Sequence, residues 1–87
     1  MILPYILKFN NNASKDLENL PKEINFRIWN KLQEAKTSPF HYFIRLKGRK
    51  DYKLRAGDYR VIADINQTER TIEITKVGHR RNVYKNL

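Results

Sequence analysis

The side chains of this sequence that are best suited to chemistry are basic, and most of them lie in its C-terminal half. Residues 40–87 carry 12 lysines and arginines against 5 acidic residues, whereas residues 1–39 carry 6 against 4. The basic cluster has two parts, and the second part also contains a histidine and a tyrosine. Its members are Arg45, Lys47, Arg49, Lys50, Lys53, Arg55 and Arg60 in the first part, and His79, Arg80, Arg81, Tyr84 and Lys85 in the second. A surface of this sign attracts polyanions such as RNA, DNA, an anionic membrane or an acidic protein segment.

Such a cluster supports two kinds of chemistry. It can bind nucleic acid and do nothing more, or it can cleave RNA without a metal ion, because RNA carries its own nucleophile in the 2′-hydroxyl group. A nuclease of this kind deprotonates that oxygen, neutralises the pentavalent phosphorane and protonates the leaving 5′-oxygen. Fixed cations directed at developing charge are usually the largest catalytic contribution, and lysine and arginine suffice for it. Composition alone leaves both alternatives open.

Other kinds of site are not expected from these residues. The sequence has no cysteine, which excludes disulfides, thiolate metal sites and thiol nucleophiles. Its three glycines, Gly48, Gly57 and Gly78, are isolated and form no phosphate-binding loop. His41 and His79 lie far apart, with no carboxylate at the spacing of helical metal ligands. We therefore expect no metal and no organic cofactor.

Length and hydropathy limit the architecture that positions these side chains. A chain of 87 residues buries only about 60 to 65% of its unfolded surface, so we expect one domain, residues 1–87, with one modest core and a shallow site. The N-terminal apolar run Met1–Leu7 contains Pro4 and is too short for a signal peptide or a membrane span. We expect no membrane segment and a cytoplasmic location.

The N-terminal half is predicted to form a strand and a helical hairpin. Ile2–Phe9 has the composition of a strand. After it, apolar residues recur every three or four positions, as on the buried face of a helix. Pro21 suits the first turn of a helix but not its interior, so we expect one helix over Ala13–Leu20 and a second over Pro21–Lys36.

From Tyr42 onward, apolar residues alternate with polar ones, which predicts four short strands within residues 42–47, 52–55, 59–65 and 71–75. The breaks between them are short, which favours an antiparallel meander. The sequence thus predicts an α+β fold in which an N-terminal strand and a helical hairpin precede a four-stranded antiparallel meander packed on the two helices, with a tail from Gly78 to Leu87. Lys53 and Arg55 should leave one face of their strand, and Tyr52 and Leu54 should enter the core from the other.

Two segments carry a more specific signal. Tyr52–Ile62, which reads YKLRAGDYRVI, and Val77–Tyr84, which reads VGHRRNVY, resemble the motifs of the RelE/ParE superfamily of toxins from type II toxin–antitoxin systems. The similarity extends over essentially the whole chain in the predicted order of elements, although the strong motifs occupy only about residues 52–84. The nearest group is the RelE-type mRNA interferases.

The resemblance implies a ribosome-dependent endoribonuclease that cuts mRNA in the decoding site and inhibits translation, leaving a 2′,3′-cyclic phosphate and a 5′-hydroxyl. The roles of the matching family positions imply that Lys53 would hold the phosphate and that Arg60 would stabilise the transition state. Arg80 would act as general acid or charge stabiliser, and Tyr84 as base or as a stacking platform. The remaining basic residues expected to bind RNA are Lys47, Lys50, Arg55, His79 and Arg81. The sequence departs from the RelE pattern at Asp51, where a second lysine is expected; Lys50 or Arg55 would have to replace it.

The resemblance also implies a partner, a cognate RelB-like antitoxin that forms a hetero-oligomer with the toxin, besides the ribosome and mRNA. The side chains of Ile28, Trp29 and Leu32 are expected in the core or in the antitoxin groove. Two alternatives remain open at this point. One is a ParE-like protein that poisons DNA gyrase through protein contacts, and the other is an RNA-binding module without catalysis, for which exposed aromatic residues on the sheet would be expected.

Overall fold

Five strands and three helices make up the part of the chain that the computed structural model describes, residues 3–85. In chain order the elements are β1 (Ile6–Phe9), α1 (Asn11–Glu18), α2 (Lys22–Ala35), α3 (Pro39–Tyr42), β2 (Phe43–Arg45), β3 (Tyr52–Ala56), β4 (Tyr59–Asn66) and β5 (Thr71–His79). The strands form one sheet in the order β1-β5-β4-β3-β2. Strands β2 to β5 are antiparallel neighbours, whereas β1 is parallel to β5. The predicted α+β fold with its antiparallel meander is confirmed.

The two helices form the predicted hairpin. The side chain of Asn10 caps α1, because its Oδ1 accepts a hydrogen bond from the backbone nitrogen of Ala13 at 2.8 Å. Pro21 stands immediately before α2, where its missing N–H costs no helical hydrogen bond. Ile28 and Leu32 of α2 are fully buried and pack in the core.

The sheet has two faces of different character. One face packs on the helices and contributes Leu54, Val61 and Ile74 to the core. Tyr52 and Tyr59 are partly buried against the same core, as their position in the alternation predicted. The opposite face, called the outer face below, carries the side chains that alternate with these residues on β3, β4 and β5.

Four details differ from the predicted elements. Helix α1 spans Asn11–Glu18 rather than Ala13–Leu20, because its cap is Asn10. The segment before β2 forms the short helix α3, because Pro39 occupies the first helical turn, so β2 is only three residues long. Strand β5 continues to His79 instead of ending near Thr75, because its last residues pair with the start of β4. Strand β1 begins at Ile6 rather than Ile2, and Ile2 itself lies outside the described residues. None of the described helices combines the length and the apolar character needed to cross a membrane.

Candidate active site

The outer face arranges basic side chains in rows that run across the strands. Arg55 on β3 is paired with Arg60 on β4, and Arg60 is paired with Gly78 on β5. This row lies beside the two-residue turn between β3 and β4. Gly57 opens that turn with a φ of 60°, a conformation that glycine adopts without the steric cost other residues meet.

A second row lies two residues further along the strands. Lys53 on β3 is opposite Ile62 on β4, and Ile62 is opposite Lys76 on β5. Lys53 and Arg55 therefore share the outer face, as their spacing predicted. The two rows place four cationic side chains on one rigid surface.

Arg60 is the most deeply placed of these cations. Only 8% of the residue is exposed, and its Nη1 donates to the carbonyl oxygens of Gly57 at 2.7 Å and Tyr59 at 2.8 Å. A guanidinium group has five N–H donors, and these two bonds use the two on Nη1. The donors on Nε and Nη2 form no hydrogen bond within residues 3–85, so they can bind a phosphate oxygen from a fixed position.

The segment after β5 folds back over the outer face in a tight turn. The carbonyl oxygen of His79 accepts from the backbone nitrogens of Asn82 at 2.8 Å and Val83 at 2.9 Å. Val83 is 1% exposed, and its Cβ lies 3.5 Å from the position that a Cβ on Gly78 would occupy. Val83 therefore packs directly over Gly78 on the outer face, at a distance that would be an ordinary van der Waals contact for a Cβ at position 78. The turn is also held by Lys76, whose Nζ donates to the carbonyl oxygen of Lys85 at 2.7 Å.

This turn presents the other two predicted catalytic residues. The backbone nitrogen of Arg80 donates to the carbonyl oxygen of Asp58 at 2.7 Å, which brings Arg80 to the β3–β4 turn beside Arg60. The Arg80 side chain is half exposed, and its Nε lies 3.7 Å from the Asp58 carboxylate. Tyr84 is 39% exposed and follows the buried Val83. The structure therefore brings Arg55, Arg60 and Arg80 together around one turn, with Lys53 in the adjacent row.

His79 is placed differently from the other predicted RNA-binding residues. It is paired with Tyr59 across the sheet, and the two rings make an edge-to-face contact with centroids 5.5 Å apart. Its Nδ1 accepts a hydrogen bond from the backbone nitrogen of Arg81 at 3.2 Å. His79 thus shares a face with core residues and stabilises the turn, while the Arg81 side chain is exposed on it.

The loop between β2 and β3 holds Lys47 and Lys50, both exposed, and shows what stands where the second lysine was expected. Asp51 accepts two hydrogen bonds from Arg49, at 2.8 Å from Nε and 3.0 Å from Nη2. This paired contact holds the pKa of the Asp51 carboxyl below its ordinary value, although partial burial acts in the opposite direction. It also raises the pKa of Arg49. From the sequence, Arg49 was predicted as a member of the basic cluster but not as the partner of Asp51, although an arginine two positions before an aspartate in a turn is a local signal for such a pair.

Asp64, whose carboxyl group is near this pair, was not predicted as a site residue; of the two aspartates that could pair with Arg80, Asp58 is the one that does. Burial raises the pKa of Asp64, and the negative charges of Asp51 and Glu73 add to the effect. Within residues 3–85, no three histidine or acidic side chains come together in a way that could hold a metal ion.

The comparisons with known proteins agree on one family. The family model described as the ParE toxin of the type II toxin–antitoxin system parDE matches residues 7–84. No curated protein matches the sequence at a significant level.

Solved structures match along most of the chain. The toxin–antitoxin complex RelBE2 from Mycobacterium tuberculosis contains a chain that is 25% identical, with a TM-score of 0.79, covering 88% of this chain and 99% of that one. The archaeal RelE–RelB complex from Pyrococcus horikoshii matches at 28% identity and a TM-score of 0.78, covering 93% and 100%. The intact RelBE complex from E. coli matches at 26% identity and a TM-score of 0.73, covering 86% and 95%.

Proposed function

This chain belongs to the ParE toxin family and is a type II toxin of the RelE/ParE superfamily, and from that premise we propose that it is a ribosome-dependent endoribonuclease that cleaves mRNA in the decoding site. The observation that carries the proposal is the position of Arg60. Its guanidinium is almost buried, is fixed by two carbonyl oxygens and keeps donors for a phosphate. A fixed cation that is largely shielded from solvent stabilises developing negative charge more strongly than a mobile surface cation does.

The proposed reaction uses the RNA's own 2′-hydroxyl as nucleophile. The 2′-oxygen forms a bond to the adjacent phosphorus, its proton passes to a base, and the bond from phosphorus to the 5′-oxygen breaks. That leaving oxygen takes a proton, which yields a 2′,3′-cyclic phosphate and a 5′-hydroxyl. Arg60 and Lys53 bind the phosphate oxygens as charge builds on them. Arg80 lies at the other side of the β3–β4 turn, where it serves the leaving oxygen.

Tyr84 supplies the remaining group in this scheme. It is the partly exposed aromatic side chain of the C-terminal turn, and the burial of Val83 beside it fixes the backbone from which it projects. A tyrosine in that place either accepts the proton of the 2′-hydroxyl as its phenolate or stacks on a substrate base. Removal of the hydroxyl alone separates these two roles.

A second candidate function is gyrase poisoning, and one observation favours it: the family model that matches is that of ParE toxins. A protein that acts only through protein contacts has no need of a buried, fixed arginine beside an arginine-rich turn. The retained set of Lys53, Arg60, Arg80 and Tyr84 supports the nuclease instead. A plain RNA-binding module is less well supported, since Tyr52 and Tyr59 pack against the core rather than forming a stacking surface.

The proposal includes a protein partner. The similar structures are complexes of RelE-type toxins with RelB-type antitoxins, and we propose that a RelB-like antitoxin forms a hetero-oligomer with this single toxin domain in the cytoplasm. Helix α2 offers a surface for it: Phe26 is 66% exposed and Trp29 is 44% exposed, beside an apolar groove that Leu20 also lines. An amphipathic helix with an acidic polar face fits such a groove on a chain of charge +9.

Two assays run side by side distinguish the nuclease from the gyrase poison. The purified protein is added to a cell-free translation reaction and, separately, to a DNA supercoiling reaction with gyrase. The nuclease predicts arrested translation with mRNA fragments that carry a 5′-hydroxyl, and normal supercoiling. Blocked supercoiling together with intact mRNA would contradict the nuclease function and support gyrase poisoning.

A further inference from the structure

A groove of about 850 Å³ lies next to the candidate active site and takes no part in the chemistry proposed above. Its sides are the start of α1 and the β2–β3 loop, and its floor is formed by Asp64, Thr75 and Lys76. Four of its lining side chains are cations: Lys15, Arg49, Lys50 and Lys76. Lys76 also belongs to the second row of the outer face, so the groove and that row share one residue.

The spacing of the rows matches the repeat of an extended nucleic acid strand. Along β4, Arg60, Ile62 and Asp64 are separated by two residues each, a step of about 6.8 Å in a strand. That step is comparable to the separation of neighbouring phosphates in an extended single strand. An RNA that follows β4 from a scissile phosphate at Arg60 therefore reaches the groove about two nucleotides away.

The groove contains a cation that is already oriented. The Asp51 carboxylate holds Arg49 through Nε and Nη2, and the carbonyl oxygen of Arg49 accepts from Arg45 Nε at 3.1 Å. The Asp51 side chain is 12% exposed, whereas that of Arg49 is 43% exposed, so the buried partner fixes the accessible one. Nη1 of Arg49 forms no hydrogen bond within the described residues and remains for a phosphate. An arginine held in this way loses little conformational entropy when it binds an anion.

The groove also contains an acceptor without a partner. The Asp64 carboxylate lines the floor and forms no salt bridge and no side-chain hydrogen bond within residues 3–85. Partial burial and the negative charges of Asp51 and Glu73 raise its pKa, although the nearby charge of Arg49 acts in the opposite direction. A carboxylate repels phosphate, but it accepts two parallel hydrogen bonds well. The Watson–Crick edge of guanine offers such a pair, N1–H and the N2 amino group.

We propose that this groove binds a guanine nucleotide about two positions from the scissile phosphate, with Arg49 and Lys50 on its phosphate and Asp64 on the Watson–Crick edge of its base. The inference deepens the proposed function and depends on it for the position of the RNA. It assigns Asp64 a role in base specificity and Arg49 a role in RNA binding. Neither residue takes part in the cleavage step.

The first test measures base discrimination. The probe is a single-stranded 2′-O-methyl uridine oligonucleotide that cannot be cleaved and carries one guanosine, compared with the same oligonucleotide carrying inosine, which lacks the N2 amino group. Fluorescence anisotropy should show that the wild-type protein binds the guanosine probe about tenfold more tightly, the effect of one hydrogen bond to a charged group. Asp64→Asn should bind both probes equally. Equal binding by the wild-type protein, or discrimination that survives in Asp64→Asn, would overturn the proposal.

The second test measures the phosphate contact at Arg49. Arg49→Ala should weaken binding of the guanosine probe about three- to tenfold and lower the slope of log K against log salt by about 0.7, as expected for one lost phosphate contact on a single strand. Lys22→Ala on α2 removes the same charge from a residue that does not line the groove, and it should leave the slope unchanged. Equal slopes for the two variants would overturn the role of Arg49, provided that thermal unfolding shows both folded.

These tests fail separately from the proposed function. Arg80→Ala should retain the preference for guanosine over inosine, because Arg80 lies outside the groove, and should lose mRNA cleavage. If the wild-type protein cleaves mRNA but binds both probes equally, the proposed nuclease function stands and the proposed guanine site is wrong. If the protein discriminates between the probes but does not cleave mRNA on ribosomes, the proposed guanine site stands and the proposed nuclease function is wrong.

Discussion

The backbone nitrogen of Arg80 donates to the carbonyl oxygen of Asp58 at 2.7 Å, and this bond joins the C-terminal turn to the turn between β3 and β4. On the same turn, Gly57 and Tyr59 hold the Arg60 guanidinium through their carbonyl oxygens. Both arginines are therefore positioned mainly by backbone groups rather than by carboxylates. Their positive charges are therefore available for the phosphate contacts that the proposed function requires.

Arg60→Lys should separate charge from geometry. Lysine keeps the positive charge but cannot contact two carbonyl oxygens and a phosphate with one planar group. We expect cleavage to fall by about 10²-fold or more. The free energy of unfolding should fall by about 1–2 kcal/mol, since a hydrogen bond from a charged group is lost.

The measurement combines single-turnover cleavage on ribosomes with chemical denaturation. Arg55→Lys is the matched control, because Arg55 lies directly across the ladder from Arg60 but is exposed. The interpretation of Arg60 would be wrong if both lysine variants cleaved at the wild-type rate.

Tyr84→Phe should show whether the phenol acts through its hydroxyl or through its ring. If Tyr84 takes the proton of the 2′-hydroxyl, the phenylalanine variant should lose about 10²-fold or more in cleavage rate without a change in RNA binding. If the ring stacks on a base, Tyr84→Phe should keep most of the rate, and Tyr84→Ala should weaken binding by about 1–3 kcal/mol. Rates and affinities measured on the same RNA distinguish the two. Wild-type rate and affinity in both variants would exclude Tyr84 from the site.

Val83→Ala should loosen the C-terminal turn while the sheet stays intact. Val83 is nearly fully buried against Gly78 and lies outside the core formed with the helices. The substitution removes two buried methyl groups, which should lower the free energy that holds the turn on the sheet by about 1–2 kcal/mol. Amide exchange measured by NMR should become faster at Asn82 and Val83 than in the wild-type protein, and amides in β4 should stay protected. Unchanged exchange at both amides would contradict the anchoring role of Val83.

Asp51→Asn should remove a stabilising contact that depends on pH. Arg49 holds the pKa of Asp51 below its ordinary value in the folded state, so the contact stabilises the protein above the unfolded pKa of about 3.9 and is lost as the pH falls through the lower, folded pKa. The variant should therefore be less stable by about 0.5–1 kcal/mol at pH 7, a small value because Arg49 is partly exposed to solvent.

Denaturation curves from about pH 7 down to about pH 2 test this directly. The difference between wild type and Asp51→Asn should shrink as the pH falls. Asp58→Asn makes the same change in charge but removes only the weak, exposed contact with Arg80, so its effect should be smaller at pH 7. A difference for Asp51→Asn that stayed constant down to acidic pH would show that the carboxylate charge does not matter.

Local patterns predicted the fold well because they report local physics. The alternation in β3 assigned Lys53 and Arg55 to one face and Leu54 to the other, and the structure agrees. Pro21 separated the two helices for a similar reason, since proline restricts its own backbone wherever it stands. The parallel pairing of β1 with β5 depends on residues more than 60 positions apart, and no local pattern specifies it.

The site was less predictable than the fold. The family motifs identified Arg60 and Arg80 as candidates. No sequence pattern shows that backbone carbonyl oxygens hold the Arg60 guanidinium, or that a backbone hydrogen bond to Asp58 positions Arg80. Alternation continued from Ile72 and Ile74 would have placed His79 on the outer face. The pairing of β4 with β5 shifts by one residue between Ile74 and Lys76, so His79 lies with Tyr59 on the core face, and no local pattern specifies that shift. The pairing of Arg49 with Asp51 arises from the shape of the β2–β3 loop, which depends on the strands on both sides.

The central claim, that this protein cuts mRNA on the ribosome through its outer-face arginines, is tested most directly by primer extension on an mRNA bound to programmed ribosomes. The wild-type protein should produce cuts only in the decoding site, and none on the same mRNA without ribosomes. Arg80→Ala should lower the cleavage rate by about 10²- to 10³-fold while changing the stability little, and Asp58→Asn should cut like the wild type, because the ion pair between these side chains is long and exposed. Intact mRNA on ribosomes treated with folded wild-type protein, or undiminished cutting by Arg80→Ala, would contradict the claim.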